Sequence, residues 1–126
     1  MEPVWVAREL VLVLHERLLA EHGGAPGVRD EGLLDSALAR PRQIRAYGDP
    51  DLCALAAAYA YGLVRNHPFV DGNKRVAFMV AYVFLARNNR RLVAPEADAT
   101  AMMVALAAGQ TDETAFAAWL RDHTLA

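Results

Sequence analysis

The sequence predicts an all-α fold, a single compact bundle of about six helices over residues 1–126, with a candidate active-site loop between the third and fourth helices. Three observations predict it. Apolar residues recur every three or four positions through successive segments. The gaps between those segments are short and marked by Gly, Pro or a capping Asp or Thr. Residues 76–86 are apolar almost all round, the pattern of a helix at the buried centre of a bundle.

Each element follows from its residues. In the first helix, residues 6–21, the inward positions are Val6, Leu10, Val13, Leu14 and Leu18, with Arg8, Glu9, Glu16 and Arg17 on other faces, and Gly23-Gly24 stops it. Asp30 caps a second helix with Leu33, Leu34, Ala37 and Leu38 inward, and Pro41 sets its end. Residues 42–49 show no clear period and are expected as a loop or short hairpin. Asp49-Pro50 starts a third helix carrying Leu52, Leu55, Ala56, Tyr59 and Leu63, which ends near Asn66. A fourth helix runs over residues 73–88, and Arg87, Asn88, Asn89, Arg90 and Arg91 form its solvated, cationic end. A fifth follows Pro95 with Met102, Met103 and Leu106. Thr111 caps a sixth with Phe116, Trp119 and Leu120.

Composition narrows the functional classes. At 126 residues the chain can bury a real core without disulfides, metal or obligatory oligomerisation. The single cysteine, Cys53, sits among Leu52, Ala54, Leu55 and Ala56 as a small core residue. No secretory pattern precedes the first apolar segment, and the longest apolar run is too short to span a bilayer, so a cytoplasmic location is expected and no membrane partner. The formal charge of −2 gives no footprint for direct nucleic-acid binding.

The chemistry is concentrated in His67-Pro68-Phe69-Val70-Asp71-Gly72-Asn73-Lys74-Arg75. Pro68 disfavours helix at His67, and Gly72 permits the tight turn that starts the next helix. A helix N-terminus at Gly72-Asn73-Lys74 offers free amide hydrogens and the positive end of the dipole, an anion site. Lys74 and Arg75 are mildly unfavourable there unless an anion such as phosphate arrives. Asp71 is suited to a hard cation such as Mg²⁺, which takes one or two carboxylates together with phosphate oxygens. Histidine is the side chain best suited to proton transfer at neutral pH, and His67 lies at the end of the preceding helix. Taken singly these are an ordinary structural histidine, a loop carboxylate and solvated charge, and Phe69 is a wedge into the core. Together, a base, a metal carboxylate and a phosphate cradle describe phosphoryl or nucleotidyl transfer. No G-x-x-x-x-G-K-[ST] loop, HExxH pair or zinc spacing competes.

The nine residues from His67 to Arg75 closely resemble the signature of the Fic/Doc family, in particular its death-on-curing branch, the toxin half of bacterial toxin–antitoxin pairs. Length, helix pattern, Gly23-Gly24-Ala25-Pro26-Gly27 and Arg29-Asp30-Glu31-Gly32-Leu33-Leu34 extend the likeness over nearly the whole chain. The resemblance implies the Fic/Doc fold and an ATP- and Mg²⁺-dependent transfer onto a protein Ser or Thr hydroxyl. It makes His67 the base and Asp71 the metal carboxylate. Asn73, Lys74 and Arg75 become phosphate-binding and catalytic positions, with Gly72 allowing close backbone approach and Arg65 contributing from two residues before the histidine.

Departures from the family's other branch sharpen the expectation. Members that transfer AMP read G-N-G-R-x-x-R here, whereas this chain has Lys74 at the second Gly and Phe78 at the last Arg. In the death-on-curing branch that change goes with a reversed nucleotide and γ-phosphate transfer, a protein kinase activity whose target is elongation factor Tu. AMP transfer is the alternative, and a non-catalytic nucleotide- or protein-binding module the third reading. The family's inhibitory S/T-x-x-x-E-G/N motif has its nearest match at Gly27-Val-Arg-Asp-Glu-Gly32, which lacks the Ser or Thr. Restraint is therefore expected in trans, from an antitoxin whose disordered tail folds into a groove beside the site.

Overall fold

In the computed structural model, which describes residues 2–126, the elements run α1 (Arg8–His22), α2 (Glu31–Ala46), α3 (Leu52–Asn66), α4 (Asn73–Arg87), β1 (Arg91–Leu92), α5 (Glu96–Ala107), α6 (Glu113–Asp122) and β2 (Thr124–Leu125). The six expected helices are present. The antiparallel β1–β2 pair, with Arg91 opposite Leu125 and Leu92 opposite Thr124, is an addition that two-residue strands are too short to announce by periodicity. No described helix is long and apolar enough to cross a membrane.

The centre of the bundle is α3, not α4. Every residue of α3 from Leu55 to Ala60 and from Gly62 to Val64 is buried, and α2, α4 and α6 pack round it. Its alanines and Gly62 let neighbouring backbones come close: a Cβ on Gly62 would sit 3.2 Å from the Cα of Ala37 in α2. By contrast α4 buries Val76, Ala77, Val80, Ala81, Phe84 and Leu85 while leaving Tyr82 exposed and Phe78 and Met79 half-buried. Its apolar residues outnumber what its neighbours cover.

Further differences from the sequence reading have physical causes. Pro41 lies inside α2 and is buried, and the helix continues through residues 42–46, which were expected as a loop or hairpin. That last stretch is anchored from outside, since Ile44 packs on the core and Arg42 lies over the Trp5 ring at 5.3 Å. Val6, Leu10, Leu14 and Leu18 belong to or pack against the core as expected, but within α1 the fully buried positions are Val11 and His15, and Val13 is 48% exposed. The cap of α3 is Asp51 rather than Asp49, its Oδ1 accepting from the Ala54 amide at 2.8 Å. Likewise Asp112, not Thr111, caps α6 through the Ala115 amide. The polar corner after α4 is solvated as expected, except that the Asn88 side chain exchanges two hydrogen bonds with the Val4 backbone and so fastens the N-terminal segment. Cys53 is buried.

Two measurements test this packing. Tyr59, buried in α3, accepts the Val6 amide at 3.1 Å through its hydroxyl. Tyr59→Phe should cost about 1–3 kcal/mol in urea unfolding, because a buried N–H loses its acceptor. Asp51 also accepts from Arg121 in α6 at 2.6 and 3.1 Å, and this pairing, reinforced by the Ala54 amide, holds its carboxyl below the usual range. A depressed folded-state pKa gives stability that is present above the unfolded value and lost as pH falls through the folded one. Asp51→Asn keeps the cap but not the charge. Wild type should therefore exceed it at about pH 6 by no more than about 1 kcal/mol, since the pair is half-exposed, and the difference should vanish in strong acid.

Candidate active site

The loop between α3 and α4 is built from a buried half and an exposed half. Pro68, Phe69 and Asn73 are buried, while His67, Val70, Asp71, Lys74 and Arg75 are exposed. Phe69 enters the core completely, as expected of a wedge. Its amide donates to Asn73 Oδ1 and its carbonyl accepts from Asn73 Nδ2, both at 3.0 Å. Asn73 is therefore committed to shaping the loop, and what it can offer a phosphate is its backbone N–H. The segment before α2 lies across the loop. Its Val28 forms a bridge with Phe69, the Val70 amide donates to Gly27, and the Pro68 carbonyl accepts from the Arg29 and Asp30 amides at 2.7 and 3.1 Å.

His67 closes α3 in the left-handed region, φ 50° and ψ 55°, a conformation costly for a side chain with a Cβ. Arg29 holds it there. Its Nε donates to the His67 carbonyl at 2.8 Å and its terminal nitrogen to the Asn66 carbonyl at 3.0 Å, satisfying open carbonyls at the negative end of α3. The exposed His67 imidazole makes no hydrogen bond or ion pair among the described residues. Both ring nitrogens are open to an incoming group.

Asp71 is held by backbone. Its Oδ1 accepts the Gly72 amide at 2.8 Å and its Oδ2 the Ala25 amide at 3.3 Å. These two bonds, the Ala25 one foremost and with Arg75 and His15 adding lesser charge effects, lower its pKa below the usual carboxylate range. The carboxylate is thus anionic at neutral pH and solvent-facing. Gly24 makes room for it: a Cβ there would lie 2.9 Å from Asp71 Oδ2, and its φ of 122° also favours glycine. Among the described residues no group of three or more His, Cys, Asp or Glu could hold a metal ion. One exposed carboxylate with lone pairs to spare fits the manner in which Mg²⁺ is bound, by one or two carboxylates and by substrate phosphates.

Gly72 starts α4 with φ 78°, and the first helical bond runs from the Val76 amide to the Gly72 carbonyl at 3.0 Å. The amides of Asn73, Lys74 and Arg75 consequently have no partner within the helix and point out of its N-terminus. Lys74 and Arg75 flank them, exposed and in no ion pair among the described residues. Such an end attracts an anion. Arg65 lies on the exposed side of the last turn of α3, its guanidinium 5.9 Å from the Tyr61 ring centre, with no hydrogen bond to the loop among the described residues. The structure thus gathers His67, Asp71, Gly72, Asn73, Lys74 and Arg75 round one helix start and leaves Arg65 beside it.

The motif does not point to three residues that shape this site: His15, Gly24 and Arg29. Gly24 and Arg29 do lie in the two segments that extend the family likeness beyond the loop, whereas His15 has no such signal and is found only by its place four positions after Val11 on the buried stripe of α1. An open groove of about 470 Å³, lined by Leu14, Arg17, Leu18, Ala20, Glu21 and Met79, runs between α1 and α4. None of the loop residues His67 to Arg75 lines it, and the neighbouring Leu19 lies toward the loop, 3.6 Å from where a Cβ on Gly72 would sit.

Comparison with known proteins bears on what this site is. The chain is 51% identical to Toxin Doc of Mycolicibacterium smegmatis over 75 residues, 57% of either protein. It is 34% identical to Protein kinase doc of Escherichia phage P1 over 84 residues, 66% of this chain and 67% of the phage protein. The first match therefore spans little more than half of that relative's length. The family model described as Fic/DOC family matches residues 5–85, which take in α1, α2, α3, the loop and all but the last two residues of α4. With that match and this loop, the chain belongs to the Fic/DOC family.

Proposed function

We propose that this chain is the toxin of a bacterial toxin–antitoxin pair, which transfers the γ-phosphate of ATP to a Ser or Thr hydroxyl of a protein target, elongation factor Tu, and so stalls translation. The observation that carries this reading is the start of α4. Among the described residues, three amides without a helical partner and two cations in no ion pair form a phosphate cradle, bordered by an exposed imidazole and a backbone-held carboxylate. Lys74 supports the choice of γ-phosphate, because its side chain stands where AMP-transferring members have glycine. The names of the relatives, one a toxin and one a protein kinase, point the same way.

In this reading His67 takes the hydroxyl proton as the oxygen attacks the γ-phosphorus. The new O–P bond forms, the bond to the bridging oxygen of the β-phosphate breaks, and ADP leaves with the electron pair. The α4 amides, Lys74 and Arg75 hold the phosphate oxygens, and Gly72 keeps side-chain bulk away from them. Arg65 supplies a further cation from α3. Asp71 would hold Mg²⁺, which supplies neutralisation of phosphate charge. The partner is an antitoxin tail seated in the groove between α1 and α4, and the reaction belongs in the cytoplasm, where ATP and the target are.

Incubation with bacterial lysate and ATP labelled at either the α- or the γ-phosphate tests the reading. Label from the γ position alone should appear on protein. Label from the α position would establish AMP transfer instead, and no transfer by the folded protein would leave a binding module. His67→Ala should reduce transfer by about 100-fold or more, the usual reach of a general base, with the unfolding midpoint little changed. Lys74→Gly should weaken γ transfer and open α transfer; unchanged products would show that nucleotide orientation is set by other residues.

A further inference from the structure

His15 is a buried polar side chain, 3% exposed. It comes from α1, far from the loop in sequence, yet it touches the loop at two points. Its ring stacks on Phe69 with centroids 3.8 Å apart and planes 17° apart. Its Nε2 lies 2.8 Å from the backbone carbonyl oxygen of Asp71. A carbonyl can only accept, so Nε2 carries the proton and donates.

That bond fixes more than one oxygen. The Asp71 carbonyl and the Gly72 amide belong to the same planar trans peptide, in which C=O and N–H point in opposite directions. With the carbonyl turned inward to His15, the Gly72 N–H is turned outward, where it donates to Asp71 Oδ1. Gly72 carries no Cβ to resist rotation of that peptide, and its φ of 78° lies in a region glycine enters and leaves freely. Nothing else on the glycine itself fixes the plane. A Cβ on Gly72 would come within 3.6 Å of His15 Nε2, so the imidazole also lies directly behind the turn.

We propose that His15 is a positioning residue, one that locks the Asp71–Gly72 peptide so that the Asp71 carboxylate faces solvent in the orientation that receives a divalent cation with its phosphate. The role rests on the reading of Asp71 given under Proposed function. It separates two functions of one ring. The stack on Phe69 belongs to the core and any flat apolar ring could supply it, whereas the hydrogen bond requires a donor at the Nε2 position.

Two substitutions divide these functions. His15→Phe keeps the stack and loses the donor, and His15→Gln loses the ring but can present an amide N–H near the same point. By nuclear magnetic resonance, His15→Phe should speed exchange of the Gly72 and Ala25 amides with water about tenfold, the scale of one lost hydrogen bond, while amides inside α3 keep wild-type exchange. The Mg²⁺ concentration for half-maximal use of ATP should rise by a similar factor, with kcat at saturating Mg²⁺ little changed, and His15→Gln should restore both readouts. Wild-type exchange at Gly72 in His15→Phe overturns the proposal, and so does failure of His15→Gln to restore slow exchange. Should His15→Phe not fold, His15→Met, apolar and without a donor, replaces it. Failure of both to fold beside a folded His15→Gln also overturns the proposal, because the bond would then be a requirement of the fold rather than a constraint on the loop. A wild-type protein that transfers no phosphate but shows the expected exchange pattern removes the kinase reading and leaves the positioning role standing.

Discussion

The burial of Phe69 is the constraint on which the loop depends. A phenyl ring driven wholly into the core carries its own peptide groups inward with it, and those groups need partners. Asn73 supplies both, one for the amide and one for the carbonyl, from the first turn of the next helix. The same side chain therefore fixes where α4 begins relative to where α3 ended. With Phe69 fixed, His67 two positions before it and Asp71 two positions after it are left at the surface. The chemistry projects from the surface because the wedge between them does not.

The remaining loop groups are satisfied from distant parts of the chain. The carbonyls of Asn66, His67 and Pro68 are taken by Arg29 and by the amides at the start of α2, and the Asp71 carbonyl by His15. A loop with this many external partners has few ways to relax. The left-handed turn at His67 illustrates the energetics: its intrinsic cost is of order 1–2 kcal/mol, and two charge-assisted hydrogen bonds from Arg29 are of a size to offset it. Rigidity of this kind would suit the phosphate transfer proposed for this loop, where catalysis comes from positioning and preorganised charge.

The sequence made the helices legible because each carries its own periodic pattern, and made the loop legible because His67 to Arg75 are contiguous. What it hid was settled across space. Asp49 and Asp51 are both plausible caps two residues apart, and Arg121, arriving from α6, attends Asp51 alone. Pro41 reads as a helix end, but Arg42 and Ile44 beyond it have partners that reward continuing. The rank of α3 over α4 as the centre turned on small residues: Ala and Gly raise little hydrophobic signal, yet they are what lets α2 come within contact of α3 at Gly62. His15 and Arg29 act on loop residues dozens of positions away, so no local pattern could have joined them to the motif.

The division between buried and exposed residues in the loop also explains how stability and activity can be kept apart in one short stretch. Pro68, Phe69 and Asn73 are interior and serve the fold, while His67, Asp71, Lys74 and Arg75 are at the surface and contribute little to it. The surface set is electrostatically unbalanced. Lys74 and Arg75 stand at the positive end of a helix, an arrangement mildly unfavourable by itself, and the nearby Asp71 carboxylate accepts from backbone amides rather than from either cation. A fold that gains nothing from this arrangement retains an anion-seeking surface, and a phosphate arriving there would satisfy amides and cations at once. The loop is thus complete as a structure and incomplete as a charge distribution, and that imbalance is the physical ground for reading it as a site.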